Sequence, residues 1–203
     1  LQALEAEKQA HAQTGHERGV FEGQVVRLQS SKSWRLTAPL RGVEGWIRMP
    51  EGVYEIGHNG DGFHYDNELG RHKVFLSAYA IRANLVTNQE YIAFINDGGY
   101  QRPELWLDDG WSWKESQDAH SPLYWHQVDG EWHQYTLNGM QPVAPGDILT
   151  HVNFFESWAF ATWKQMRLPT EFEWEVAAEQ FNWGLRWEWT NSAYLPYPGY
   201  KKA

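Results

Sequence analysis

The run Leu85-Val86-Thr87-Asn88-Gln89-Glu90-Tyr91 continues through Ile92-Ala93-Phe94-Ile95 to Gly98-Gly99. Thr87-Asn88-Gln89-Glu90 reads as a capping box: the threonine hydroxyl accepts the amide of the third helical residue, and the glutamate reaches back to the cap. The helix it opens carries Tyr91, Phe94 and Ile95 on one face and stops at the two glycines. Upstream, Trp46–Pro50, Val53–Gly57 and Lys73–Leu76 read as short strands around Gly- and Asn-rich turns. Downstream, Asn153-Phe154-Phe155-Glu156 is a second box, whose helix carries Ala159, Trp163 and Met166 as a stripe. Thr170-Glu171-Phe172-Glu173, after Pro169, is a third, opening a short helix through Trp174, Ala177 and Ala178. Between the first two helices lies a long stretch, Tyr100 to Ile148, with five tryptophans and the turn signals Asp108-Asp109-Gly110 and Asp129-Gly130. No repeat recurs at a fixed period. Two or three helices on a small antiparallel sheet, joined by heavy loops, make an α+β chain.

The 203 residues are 42% apolar and 21% charged, which suits a folded core. Residues 1–48 hold seven Lys and Arg against five Asp and Glu; the remainder holds ten against twenty-one, and the formal net charge is −9. That balance disfavours a nonspecific nucleic-acid binder, whose phosphate affinity comes from clustered cations. Apolar runs are only a few residues long, so no membrane span is expected, and no stretch has the form of an export signal. The absence of cysteine removes disulfides, thiolate metal sites and a cysteine nucleophile, and fits a reducing, cytoplasmic location. Twelve of the thirteen tryptophans lie from Trp46 onward. Because each indole buries roughly 150–250 Å², the body is expected to be stitched together by aromatics.

The chain therefore reads as a polar helical head and linker over residues 1–42 and a globular body over 43–203. In the head, Leu1 and Leu4 follow helical spacing, which Gly15, Gly19 and Gly23 interrupt. Ser31–Arg41 resembles a segment that follows coiled-coil tails in bacterial glycosyltransferases, a likeness that carries no activity with it.

The body resembles a known family. Gly52-Val53-Tyr54-Glu55-Ile56-Gly57-His58, Tyr65-Asp66-Asn67-Glu68, Arg71-His72-Lys73-Val74, Leu85–Tyr91, Arg167-Leu168-Pro169-Thr170-Glu171 and Trp187-Glu188-Trp189-Thr190 are similar to motifs of formylglycine-generating-enzyme-like domains, which have a variant of the C-type-lectin fold. Asp97–Trp106, Pro122-Leu123-Tyr124-Trp125 and Ser192-Ala193-Tyr194-Leu195-Pro196-Tyr197-Pro198-Gly199 resemble, more narrowly, the carboxy-terminal domain of the ergothioneine-biosynthesis sulfoxide synthases (EgtB). The likeness runs from about Trp46 to Tyr200.

In that family a nonheme Fe(II) held by three histidines activates O2 and joins the sulfur of cysteine or γ-glutamylcysteine to the imidazole of hercynine. The resemblance implies that Tyr194 is the active-site tyrosine, a phenol suited to donating a hydrogen bond and a proton. Trp187 and Trp189 are the candidate substrate-binding residues, an aromatic cage for hercynine's quaternary ammonium. The competing reading, favoured by their strand-like alternation, places one of them in the core. Family members also carry an amino-terminal DinB-like helical bundle bearing the iron ligands, and continue past Pro-Tyr-Pro-Gly with a further strand. Neither is recognised in these residues, so the fold is expected to be incomplete at the carboxy terminus and marginally stable. The isolated chain is expected to be inactive unless a separate DinB-like domain serves it. The second reading is a noncatalytic lectin-like binding or scaffold domain. Formylglycine-generating activity itself is excluded, since that chemistry uses a cysteine pair to hold copper.

Other candidate sites are weaker. His58, His64 and His72, with Asp61, Asp66 and Glu68 among them, spell a conceivable two-histidine, one-carboxylate triad, with exposed loop histidines as the preferred reading. His120, His126, His133 and His151 are scattered. Asn59-Gly60-Asp61-Gly62 offers oxygen ligands for Ca2+ and is equally a plain turn. Glu171, Glu173 and Glu175 open a helix, where acidic groups suit the cap and the dipole. No metal ligand is assigned.

Overall fold

The computed structural model describes residues 45–58, 60–61, 64–65, 68–181 and 184–200, all within one compact unit spanning Glu44–Ala203. The head expected over residues 1–42 lies outside the described residues.

Strand β1 (Trp46–Met49) pairs antiparallel with β4 (Tyr79–Arg82), and β2 (Gly52–Ile56) pairs with β3 (His72–Leu76). In the second pair the pleat sorts side chains by face. Ile56 and Leu76 are buried, while Val53 opposite Phe75 and Glu55 opposite Lys73 face solvent. A third sheet is a meander of β5 (Trp125–Val128), β6 (Glu131–Thr136) and β7 (Gly139–Pro142). Its first turn is Asp129-Gly130, with φ of 51° and 83°; two left-handed residues let a two-residue loop follow the strands' own twist. In place of the expected single small sheet, the described residues form three separate antiparallel ones.

Helix α1 (Asn88–Asn96) begins with both arms of the Thr87–Glu90 box made, and its chain turns away at Gly98, φ 77°. Its inner face, Tyr91 and Phe94, meets Tyr100, Leu105, Trp106, Ala159 and Phe160 in the main core. Gly99 sits there because of space: a Cβ would lie 2.2 Å from the Phe94 ring. Asp108-Asp109-Gly110, expected as a turn, instead opens helix α2 (Asp108–Ser116). The two acids favour the positive end of its dipole. Gly110 is small because α2 passes close to α3 (Phe154–Trp163) there: a Cβ would lie 2.7 Å from the Phe155 side chain. Met166, expected on the stripe of α3, falls beyond it: Gln165 at φ 58° ends the run, and Met166 is exposed. Helix α4 (Glu171–Ala177) closes the set. No helix of the described residues is long and apolar enough to cross a membrane.

Candidate functional site

The segment 184–200 carries the candidate residues, and it is held against the body from one side. Trp174 of α4 donates its indole N–H to Glu188 at 3.0 Å, and Trp189 donates to the Val152 carbonyl at 3.0 Å. Asn191 N–H donates to Pro169 O at 2.7 Å, and Ser192 Oγ accepts the Glu171 amide at 2.9 Å, satisfying one free donor of the α4 N-terminus. Tyr197 is the deepest anchor, 6% exposed. Its hydroxyl donates to Glu175 at 2.9 Å and approaches Glu171 at 3.4 Å, while its ring meets His72 edge-on and Phe172 at a tilt. The other oxygen of Glu175 accepts the Gly57 amide at 2.7 Å, which joins the β2–β3 hairpin to the same clamp. Gly70 completes it: its φ is 107°, and a Cβ there would lie 2.2 Å from the Pro198 carbonyl.

What this clamp leaves outside are Trp187, Trp189 and Tyr194, which are 93%, 48% and 82% exposed. The expectation that one tryptophan faces the core is therefore corrected. The segment belongs to no sheet, and residues two apart in an extended run share a face. The inward positions go to Glu188 and Thr190, both half-buried, because Glu188 has the Trp174 indole as a partner. Trp189 keeps an edge in contact with Phe154, with ring centroids 6.0 Å apart. Tyr194 projects from a proline-flanked loop into solvent.

Electrostatics follow from burial and neighbours. Burial, then the Glu175 and Glu171 carboxylates, push the Tyr197 phenol far above its usual range, so it is a committed donor. Burial raises Glu171, with Glu175 and Glu68 adding to it against the Tyr197 hydrogen bond. Glu173 also feels burial, but the bidentate Arg167 guanidinium, at 2.5 and 2.6 Å, and the Thr170 groups carry its carboxyl below the ordinary value. The three acids at the start of α4 thus have structural partners, as their position suggests.

The three-imidazole grip implied by the resemblance does not fit the histidines in place. His58 and His64 stack face to face at 4.3 Å, an arrangement that does not converge their nitrogens on one ion. His72 is wedged against Tyr197 and Phe172, with Nδ1 on the Gly70 carbonyl. Among the described residues no group of three or more His, Cys, Asp or Glu gathers to hold a metal. Asp66 of the conceivable triad, and Asn59 and Gly62 of the Ca2+ candidate, lie outside the described residues.

Sequence reasoning missed Tyr197 and its role. The signal was available: Glu171 and Glu175 lie one turn apart on one helix face, and two neighbouring carboxylates there call for a donor between them.

Residues 35–201 match the Sulfatase-modifying factor enzyme 1-like domain. The chain belongs to that family. It is 30% identical to the hercynine oxygenase of Mycolicibacterium smegmatis, over 81% of this chain and 50% of that protein. It is 30% identical to the hercynine oxygenase of Mycolicibacterium thermoresistibile, over 66% of this chain and 40% of the relative. A formylglycine-generating enzyme from Thermomonospora curvata is 29% identical, over 76% and 55% respectively. The chain spans about half the length of the curated relatives it matches. The likeness to hercynine oxygenases supports an EgtB-like origin for this domain.

Proposed function

We propose that this chain is the sulfatase-modifying-factor-like domain of a nonheme-iron sulfoxide synthase, and that its outward aromatic segment binds hercynine. The observation that carries the reading is the presentation of Trp187, Trp189 and Tyr194. Large aromatic side chains normally bury, yet here Trp187 and Tyr194 stand in solvent, and Trp189, tied by its N–H to the Val152 carbonyl, keeps about half of its surface exposed. An open indole face attracts a quaternary ammonium, and the Tyr194 hydroxyl is an exposed donor able to pass a proton to a developing oxyanion or leaving group. The similarity to hercynine oxygenases supports the choice of substrate, and helices on small antiparallel sheets with long loops support a lectin-like fold. The thiol partner is cysteine or γ-glutamylcysteine on the same reading. Iron is assigned no ligand among the described residues, so it would be held by other parts of a full-length protein or by a DinB-like partner.

The test has two stages. Hercynine is titrated into the 203-residue chain by calorimetry, with Trp187→Ala and Trp189→Ala as controls. The chain is then incubated with Fe(II), O2, hercynine and a thiol, and the sulfoxide is sought by mass spectrometry. Saturable binding that both substitutions weaken, without turnover, is expected. Absence of binding would refute the substrate reading and favour a noncatalytic scaffold.

A further inference from the structure

A single peptide unit, Val152–Asn153, ties the outward Trp189 to the buried core. Its carbonyl receives the Trp189 indole N–H at 3.0 Å, and its amide donates to Glu156 at 2.8 Å. The other Glu156 oxygen accepts the Tyr100 hydroxyl at 2.5 Å, and the Tyr100 and Tyr91 hydroxyls lie 3.1 Å apart. Glu156 is 2% exposed and both tyrosines are fully buried, so the amide side of this peptide is held by the interior. What turns the carbonyl side toward Trp189 is the preceding residue. His151 has φ 63°, a left-handed conformation that few side chains adopt, histidine more readily than most and β-branched residues hardly at all.

That conformation is braced from outside. The His151 carbonyl accepts the Leu123 amide at 3.1 Å, and its ring lies edge-on to Tyr124, with centroids 5.0 Å apart. Tyr124 is itself left-handed, φ 72°. Two non-glycine residues adopt this uncommon region in contact with each other, where the surrounding contacts hold them in it. The chain bends at His151, just before the α3 cap, and the Val152 carbonyl meets the indole.

We propose that His151 is a positioning residue, whose left-handed backbone aims the Val152 carbonyl so that Trp189 is held with one ring face open to an organic cation. The ligand part rests on the reading of Trp189 given above; the positioning part does not.

The test uses the full chain labelled with 15N-tryptophan, the Trp189 indole being assigned by its loss in Trp189→Phe. His151→Val, whose branched side chain resists positive φ, is expected to shift that indole signal and speed its hydrogen exchange about tenfold or more. Hercynine affinity is expected to fall about fivefold. His151→Gly and His151→Asn, which accept the left-handed conformation, should leave both within about twofold. An unmoved Trp189 signal in folded His151→Val overturns the proposal. So does a displaced signal in His151→Gly, an arm that stands even if the valine variant does not fold. If the indole responds as expected while Trp189→Phe binds hercynine as the unsubstituted chain does, the positioning role holds and the substrate reading fails.

Discussion

Stability should fall as pH rises from about 5 to 8, and Glu156 should be the main cause. Its carboxyl is buried between the Asn153 amide and the Tyr100 hydroxyl, and burial pushes it up to about 7 from an ordinary value of 4.5, against the pull of both hydrogen bonds. Between those two values the folded chain holds a proton that the unfolded chain has released, so raising pH favours unfolding. The stabilisation is fully present below the unfolded value and is lost as pH passes the folded one. The gap corresponds to about 3 kcal/mol as an upper figure, or roughly 6–12 °C in melting temperature for a body of this size. Protonated Glu156 also has a use for its proton, since the Tyr100 and Tyr91 hydroxyls can reverse the direction of their hydrogen bonds. Urea unfolding followed by tryptophan fluorescence, repeated across this range, reads the slope. Glu156→Gln keeps an acceptor for Asn153 and cannot titrate, so it should flatten most of the dependence. Glu171, also raised by burial, should leave a smaller residual fall. A flat or rising profile in the unsubstituted chain, or the same slope in the glutamine variant, would show that this carboxyl is not the buried acid inferred here.

Arg167→Ala should cost about 3–5 kcal/mol, because it strands Glu173 in a largely buried site; thermal unfolding measures it. Since the Glu173 carboxyl lies below its ordinary value, its contribution is present above the unfolded value and is lost as pH falls through the folded one, so acid unfolding should start earlier in Thr170→Ala. Gly70→Ala should cost about 1–3 kcal/mol and loosen the Tyr194–Pro198 loop, since its Cβ meets the Pro198 carbonyl; faster limited proteolysis within residues 194–200 is the readout. Trp187→Ala, at a position 93% exposed, should change stability by no more than about 0.5 kcal/mol while weakening hercynine binding in calorimetry.

Much of this domain is written in local chemistry. The three capping boxes are self-contained, each needing only an oxygen at the cap and a carboxylate three residues on, and all three open helices where the residues say they should. The strands at Trp46, Gly52 and His72 follow from branched and aromatic residues between turn formers, and the Asp129-Gly130 hairpin from its two left-handed positions. Asp108-Asp109-Gly110 misled because its glycine answers to Phe155 on a helix some 45 residues away in sequence, not to a turn. The family was likewise legible, because its motifs are runs of neighbouring residues.

Which way the aromatic residues face was not. Trp187 and Trp189 have the composition of core residues, and only the folded chain shows that Glu188, paired with Trp174, takes the inward place. Tyr197 reads like Tyr194 in the same proline-flanked loop; one is buried and the other exposed because Glu171, Glu175, His72 and Phe172 converge on the first alone. Helix caps are decided by atoms a few bonds apart and so lie in the sequence. Exposure and orientation are decided by partners brought together from distant parts of the chain, and only the tertiary structure supplies them.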